Sequence, residues 1–278
     1  MMVSSDMKIT DAEQMKLISD AGFDAFFTAW KGKTSVEEYK ALADEYGLKY
    51  HSVHGPSNKD VFLTHLWRGD DRAKTVVREF MKILEVCSDN GVEILVSHVH
   101  SGYEEEIPDV ADAAYAVENF GAIADRAREL GVRLALENIE SFELNEALMN
   151  GLCGHPAVGF CWDSGHERCY YNGRDLTENF GDKMIAVHLH DNMGCSSADG
   201  HIAARDDMHM LPFDGIIDWS GVAARLDRHG FDGVMMLEVK RSVWYSDRSE
   251  NGVYMEMTAQ EYVKRAYESV KKLASMRR

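Results

Sequence analysis

Acids and imidazoles recur in this 278-residue chain at one kind of place, the end of a short apolar run. His54 closes "LKYHSVH", His98 and His100 close "EILVSHVH", Glu137 closes "VRLALE", Asp163 closes "VGFCWD", His188 closes "MIAVH" and Glu238 closes "GVMMLE". Taken singly, each has an ordinary explanation. His54 reads as a hydrogen-bonded structural histidine, Glu137 or Glu238 as half of an ion pair, Asp163 as the cap of a following helix and His166 as a surface residue in its first turn. Repetition is what these explanations leave out. A carboxylate stranded at the end of an apolar strand has to be paired, hydrogen-bonded or metal-bound, and several sharing one face repel one another unless a cation sits among them.

Glu137, Asp163, His188 and Glu238 supply three carboxylates and one imidazole, a hard to borderline donor set suited to Mn²⁺, Mg²⁺, Co²⁺ or Zn²⁺. No cysteine pair accompanies them, which argues against structural zinc. A metal in such a set polarises adjacent carbonyl and hydroxyl oxygens of a sugar while a carboxylate beside it takes a proton from carbon. That is the chemistry of aldose–ketose isomerisation and epimerisation.

The elements that must position these groups follow from periodicity. Amphipathic stretches alternate with short β-branched or aromatic runs from one end of the chain to the other, the βαβα texture of a parallel sheet. A helix is expected from Asp11, itself the expected N-cap, through "AEQMKLISDAG" to a stop at Gly22, with "FDAFFTAW" as the next strand. "SVEEYKALADEYG", "AKTVVREFMKILEVCSDNG" and "DAAYAVENFGAIADRARELG" repeat the pattern of helix, Gly and strand, and the last helix is "TAQEYVKRAYESVKKLAS", with Tyr262, Ala266, Val270 and Leu273 along one face. With "MMVSSD" as a short first strand, eight strands are expected. No GxGxxG or GxxxxGK[ST] loop favours an open doubly wound sheet, so the expected fold is a (β/α)8 TIM barrel formed by residues 1–278 as a single domain. The strand ends then open on the one face where sites of this architecture are built. Cys161, Met235 and Met236 read as core, and "YEEEIPD" as a solvated loop. The long connection from Met193 to Asp218 reads as functional.

Charge and cysteine usage bound the partners. Thirty Lys and Arg against 47 Asp and Glu leave a formal charge of −17, which repels phosphate backbones and anionic membranes. Five cysteines, odd in number and without a CxxC pair, read as reduced thiols of a cytoplasmic protein. There is no apolar run long enough for a bilayer span and no signal-like amino terminus.

The ordered stretches "SVHGP", "VSHVHSG", "LALEN", "GFCWDSGH", "VHLHDN", "HMLPFDGIIDW" and "MMLEV" resemble the xylose-isomerase-like barrel superfamily, specifically its sugar phosphate isomerase/epimerase branch. The resemblance covers almost the whole chain after the first helix. It implies that Glu137, Asp163, His188 and Glu238 hold a divalent metal, and that Glu137 and Glu238 serve as the acid/base pair on opposite faces of the substrate carbon. His54, His100, His166, Asp207 and His209 fall where family members contact substrate or further metals, Asp207 and His209 on the segment that closes over the site. Trp30 and Trp67 are candidate apolar walls, and Arg205 is the nearest loop cation for a hydroxyl. The implied partner is a small-molecule sugar or polyol, and barrels of this type self-associate often enough that a homo-oligomer is in view. Three alternatives share the residues. One is an inosose-type dehydratase or glycoside-eliminating lyase; another is an apurinic-endonuclease-like multi-zinc phosphodiesterase, which the acidic charge disfavours; the third is a non-catalytic sugar-binding barrel, which the retention of both glutamates disfavours.

Overall fold

A computed structural model describes residues 1–56, 63–102, 107–197, 202–203, 206–242 and 252–278. Arg205 and part of the "YEEEIPD" loop lie outside the described residues. Eight strands are present: β1 (Met2–Val3), β2 (Ala25–Ala29), β3 (Lys49–His54), β4 (Ile94–His98), β5 (Arg133–Glu137), β6 (Val158–Asp163), β7 (Met184–Leu189) and β8 (Met236–Leu237). Their order across the sheet is the chain order, and the pairs β1·β2, β3·β4, β4·β5, β5·β6 and β7·β8 are parallel. Parallel neighbours wound in chain order, each joined by a helical crossover, are the topology of a (β/α)8 barrel.

The described chain divides into two compact units, Met1–Thr28 with Ala41–Lys49 and Trp162–Arg278, and Ala29–Lys40 with Tyr50–Cys161. In the second unit, α3 (Asp71–Asp89) buries Val76, Val77, Phe80, Ile83, Leu84 and Cys87, and α4 (Ala113–Leu130) buries Ala116, Phe120, Ile123, Ala124 and Ala127. The two stripes recur every three or four residues and pack against each other. Fully burying a side chain such as Phe80 or Phe120 stabilises by roughly 1.5–3 kcal/mol. In the first unit, α10 (Ala259–Met276) buries Tyr262, Val263, Ala266, Val270 and Leu273 against α1 (Asp11–Ala21) and α8 (Trp219–Arg228). Met2, Ala25, Phe27 and Met236 form a small core of their own.

Three local details differ from the sequence expectation. The N-cap of α1 is Thr10, one residue earlier than Asp11, because its hydroxyl accepts from Glu13 N while the Glu13 carboxylate returns to the Thr10 N–H. The first strand is only Met2–Val3, since Ser5–Met7 turn into a 3-10 helix. Helices α5 (Phe142–Gly151) and α7 (Thr177–Phe180) fill stretches to which the periodicity assigned no helix, while α6 (Ser164–Tyr170) is the helix that Asp163 caps. The stop at Gly22 is as expected: its φ of +102° is left-handed, and its N–H caps the carbonyls of Ile18 and Ser19.

The connection after β7 is fastened by one buried carboxylate. Asp191 Oδ2 accepts from Trp219 Nε1 at 2.7 Å and Phe213 N at 3.1 Å, and Oδ1 accepts from Ile217 N at 3.1 Å and Asn192 N at 3.0 Å. Backbone bonds between Asp191 and Met210 close the same segment. Asp191→Asn puts an amide donor where only acceptors are wanted, and is expected to cost about 1–3 kcal/mol; a fall in Tm of a few degrees measures it, and an unchanged Tm would remove Asp191 as the fastener.

Candidate functional site

Strand register sets the first group of candidate ligands, all in the second unit. His98 lies opposite Glu137 in the β4·β5 ladder, and His54 pairs with Val96 of β4. Glu137 is fully buried. Its Oε2 lies 3.0 Å from His54 Nε2 and 3.3 Å from His98 Nε2, and the two rings meet edge to face at 4.8 Å. His54 Nδ1 lies 2.7 Å from the Gly55 carbonyl, which can only accept, so Nδ1 carries the hydrogen. Nε2 therefore faces the carboxylate either as the donor of a protonated ring or as a ligand of a cation, which the donor group His54, His98 and Glu137 could hold.

His100 stands apart from this group. Its Nε2 donates to the Glu140 carbonyl at 2.9 Å and its Nδ1 accepts from Gly102 N at 3.1 Å. Burial lowers its pKa to about 4, so the ring is neutral and both nitrogens are spent on backbone. His100 was expected to bind substrate or metal, but of the two histidines that close this run it is His98 that lies beside Glu137. Trp67 is fully buried with its indole N–H on the Val99 carbonyl at 2.7 Å. It is core rather than the wall of an open pocket. Trp30 is half-buried at the end of β2, its backbone N–H donating to the His54 carbonyl.

In the first unit, Asp163, His188 and Glu238 place one donor atom each within 4.8 Å of one another. His188 Nδ1 lies 2.6 Å from Glu238 Oε2, and its ring stacks on Phe27 at 4.6 Å. Asp163 does two jobs. Its Oδ1 accepts from His166 N at 2.6 Å, capping α6, and the same oxygen lies 3.0 Å from His190 Nε2. The ordinary explanation, a helix cap, holds, and the same carboxylate is a candidate ligand.

A further group collects His166, His190, Asp207 and His209. His209 takes a left-handed φ of +48°, and its Nδ1 donates to the Glu238 carbonyl at 2.9 Å, leaving Nε2 2.8 Å from Asp207 Oδ2. Burial holds His209 below its ordinary pKa although Asp207 pulls the other way. Burial works against the charge on Asp207, yet His209 and His166 outweigh it and keep the carboxyl well below its usual range. Here too the donors fit a cation. His190 is fully buried, and its pKa is raised because Asp163 outweighs burial. The sequence reading missed it, although "HLH" puts His188 and His190 two apart, on the same face of a strand.

The family profile for the xylose isomerase-like TIM barrel matches residues 15–273. The chain belongs to this family. An inosose isomerase from Bacillus velezensis is 26% identical over 246 residues, covering 84% of this chain and 81% of the relative. Among solved structures, the IOLI protein with a bound zinc atom superposes with a TM-score of 0.76 at 19% identity, covering 99% of this chain and 97% of the other. The D-psicose 3-epimerase from Clostridium cellulolyticum H10, solved with D-tagatose, gives 0.74 at 16% identity, covering 99% and 95%. These two likenesses speak to the fold. Among the described residues of this xylose isomerase-like barrel there is no disulfide, and no helix is long and apolar enough to cross a membrane.

Proposed function

We propose that the protein is a divalent-metal-dependent isomerase or epimerase of a sugar or sugar-like polyol, with Glu137, Asp163, His188 and Glu238 as the ligands of its cation. The observation that carries this is the buried cluster of Asp163, His188 and Glu238, two carboxylates and an imidazole that place one donor atom each within 4.8 Å of one another, in a chain of this family. The inosose isomerase and the D-psicose 3-epimerase support the reaction class. The match across residues 15–273 supports taking the two units as parts of one barrel domain.

A divalent cation held there supplies a Lewis acid beside the carbon that exchanges its proton. The protein's own groups do the rest. One of Glu137 and Glu238 takes the proton from carbon and the other returns one to the opposite face, which inverts the centre. If the proton returns to the neighbouring carbon instead, and the hydroxyl proton passes to the former carbonyl oxygen, the carbonyl is relocated. His54 and His98 flank the Glu137 carboxylate and fix its orientation, His166 and His209 position hydroxyls, and Trp30 offers an apolar surface to the C–H face of a sugar. The test is solvent deuterium wash-in, followed by NMR, on a panel of ketohexoses and inososes before and after chelation. Exchange at a carbon next to the carbonyl, lost with EDTA and restored by Mn²⁺, is the expected result; elimination without exchange, or no reaction with any of the panel, would overturn it.

The groups His54/His98/Glu137 and His166/His190/Asp207/His209 favour a second reading with more than one cation, as a multi-metal phosphodiesterase would need. The formal charge of −17 weakens it, because a DNA-cutting enzyme needs a cationic approach to phosphates. Nicking of an abasic duplex together with a zinc count of three would establish this reading over the first.

A further inference from the structure

His190 belongs to neither the catalytic pair nor the four ligands named above, yet the molecule is built around it. Its ring has no exposed surface. Gly165 lies under it so closely that a Cβ there would fall 2.0 Å from Cε1 and 2.2 Å from Nδ1, so only glycine leaves room for the ring. His209 stacks on it at 4.1 Å and 22°, and His166 meets it edge-on at 5.6 Å. Asn192 Nδ2 donates to the Gly165 carbonyl at 2.6 Å, and Ser164 Oγ donates to the His190 carbonyl at 3.1 Å, which ties β7's end to the start of α6. Nδ1 lies against Gly165, and neither ring nitrogen meets hydrogen-bond geometry among the described residues, so Nε2 meets its neighbours as an ion-pair contact. The Nε2 edge faces acids, 3.0 Å from Asp163 Oδ1 and 3.9 Å from Asp207 Oδ1.

We infer that His190 is the positioning residue of the metal centre: it fixes the Asp163 carboxylate through Nε2 and, stacked on His209, sets the spacing between Asp163 and Asp207. The inference rests on the reading of Asp163 as a metal ligand. Its physical basis is that a carboxylate ligand is only as well placed as the group that holds its other contacts, and that loss of such a group typically weakens metal binding 10- to 100-fold. Gly165 then has a chemical reason to follow Ser164 in "DSGH", since the histidine that steadies Asp163 needs the space of the missing side chain.

The experiment uses the full chain, with Zn²⁺ alone as probe and a competing chelating dye as readout, on His190→Gln, His190→Asn and His190→Met. Gln places an amide N–H near the Nε2 position, whereas Asn is too short and Met has no donor. The expected result is a 10- to 100-fold weaker Zn²⁺ affinity in His190→Met and His190→Asn, affinity within about threefold of wild type in His190→Gln, and the same number of ions bound in all of them. Should His190→Met not fold, the contrast of Gln with Asn carries the test alone. Equal affinity in all variants overturns the inference, as does loss of one bound ion in every variant, which would make His190 a ligand. Asp163→Asn separates the underlying reading: if it leaves Zn²⁺ affinity unchanged, Asp163 is no ligand, whatever the His190 series shows.

Discussion

Glu137→Gln is expected to lower kcat/KM for the exchanging sugar by about 10²- to 10⁴-fold while leaving the fold in place. The substitution keeps the volume of a side chain that has no exposed surface, and an amide oxygen can still accept from His54 or His98. It removes the negative charge and the basic lone pair, on which both proton abstraction and cation binding depend. Measured by deuterium wash-in, exchange should fall further than multiple-turnover conversion of a pre-enolised substrate. Far-ultraviolet circular dichroism and Tm should stay near wild type. A variant retaining more than about a tenth of wild-type exchange would exclude Glu137 from the acid/base pair, and a collapse of Tm would show that its contacts with His54 and His98, at 3.0 and 3.3 Å, are structural. Glu238→Gln is the companion. An equal loss of exchange from either change would support the assignment of the two glutamates as a pair.

How much of this was readable in the sequence depends on whether a residue's direction could be inferred from its position in an element. Asp163, His188 and Glu238 terminate clear apolar runs, and the structure does gather them. The eight strands were legible for the same reason, because each run has period two and the intervening helices close on glycine. His98 and His100 show where this fails. Both sit in "SHVH", two residues apart, but β4 ends at His98 and the chain bends over Val99 and His100, so the alternation no longer says where the second ring points. His190 was legible in principle from His188, since β7 runs to Leu189 and the phase still holds one residue later. Asp191 was not. Its role is to collect N–H groups from Phe213, Ile217 and Trp219, and no local pattern announces a carboxylate whose partners lie more than twenty residues away. The exact extent of β1 and the helices α5 and α7 were not legible, because stretches of such length carry too few residues for a period to show.

Arg225→Met is expected to cost about 3–5 kcal/mol of stability. Arg225 Nη1 lies 2.6 Å from Glu167 Oε1 and 3.2 Å from Asp175 Oδ1, with its guanidinium 4.5 Å over the Trp162 ring. Glu167 Oε2 accepts from Trp162 Nε1 at 3.0 Å and from Leu176 N at 2.9 Å. These bonds tie α6, which carries His166, to α8. Burial already raises the Glu167 pKa above its ordinary value although Arg225 pulls it down, so removing the arginine raises it further. A carboxyl whose folded pKa is raised is best tolerated when protonated. Its contribution is intact below the ordinary carboxylate range and is lost as pH rises through the folded value. The deficit of Arg225→Met should therefore be largest at pH 7–8 and shrink towards pH 5. Urea unfolding at the two pH values measures this, and a deficit independent of pH would mean that lost packing on Trp162, not a stranded charge, is the cause. The double change Glu167→Gln with Arg225→Met removes the charge but leaves an amide oxygen for Trp162 and Leu176, and should recover most of the loss. Because α6 begins at the Asp163 cap, the same measurement made with Zn²⁺ bound shows how firmly the outer ion pair holds the inner ligands: stabilisation by the ion should be smaller in Arg225→Met and regained in the double variant.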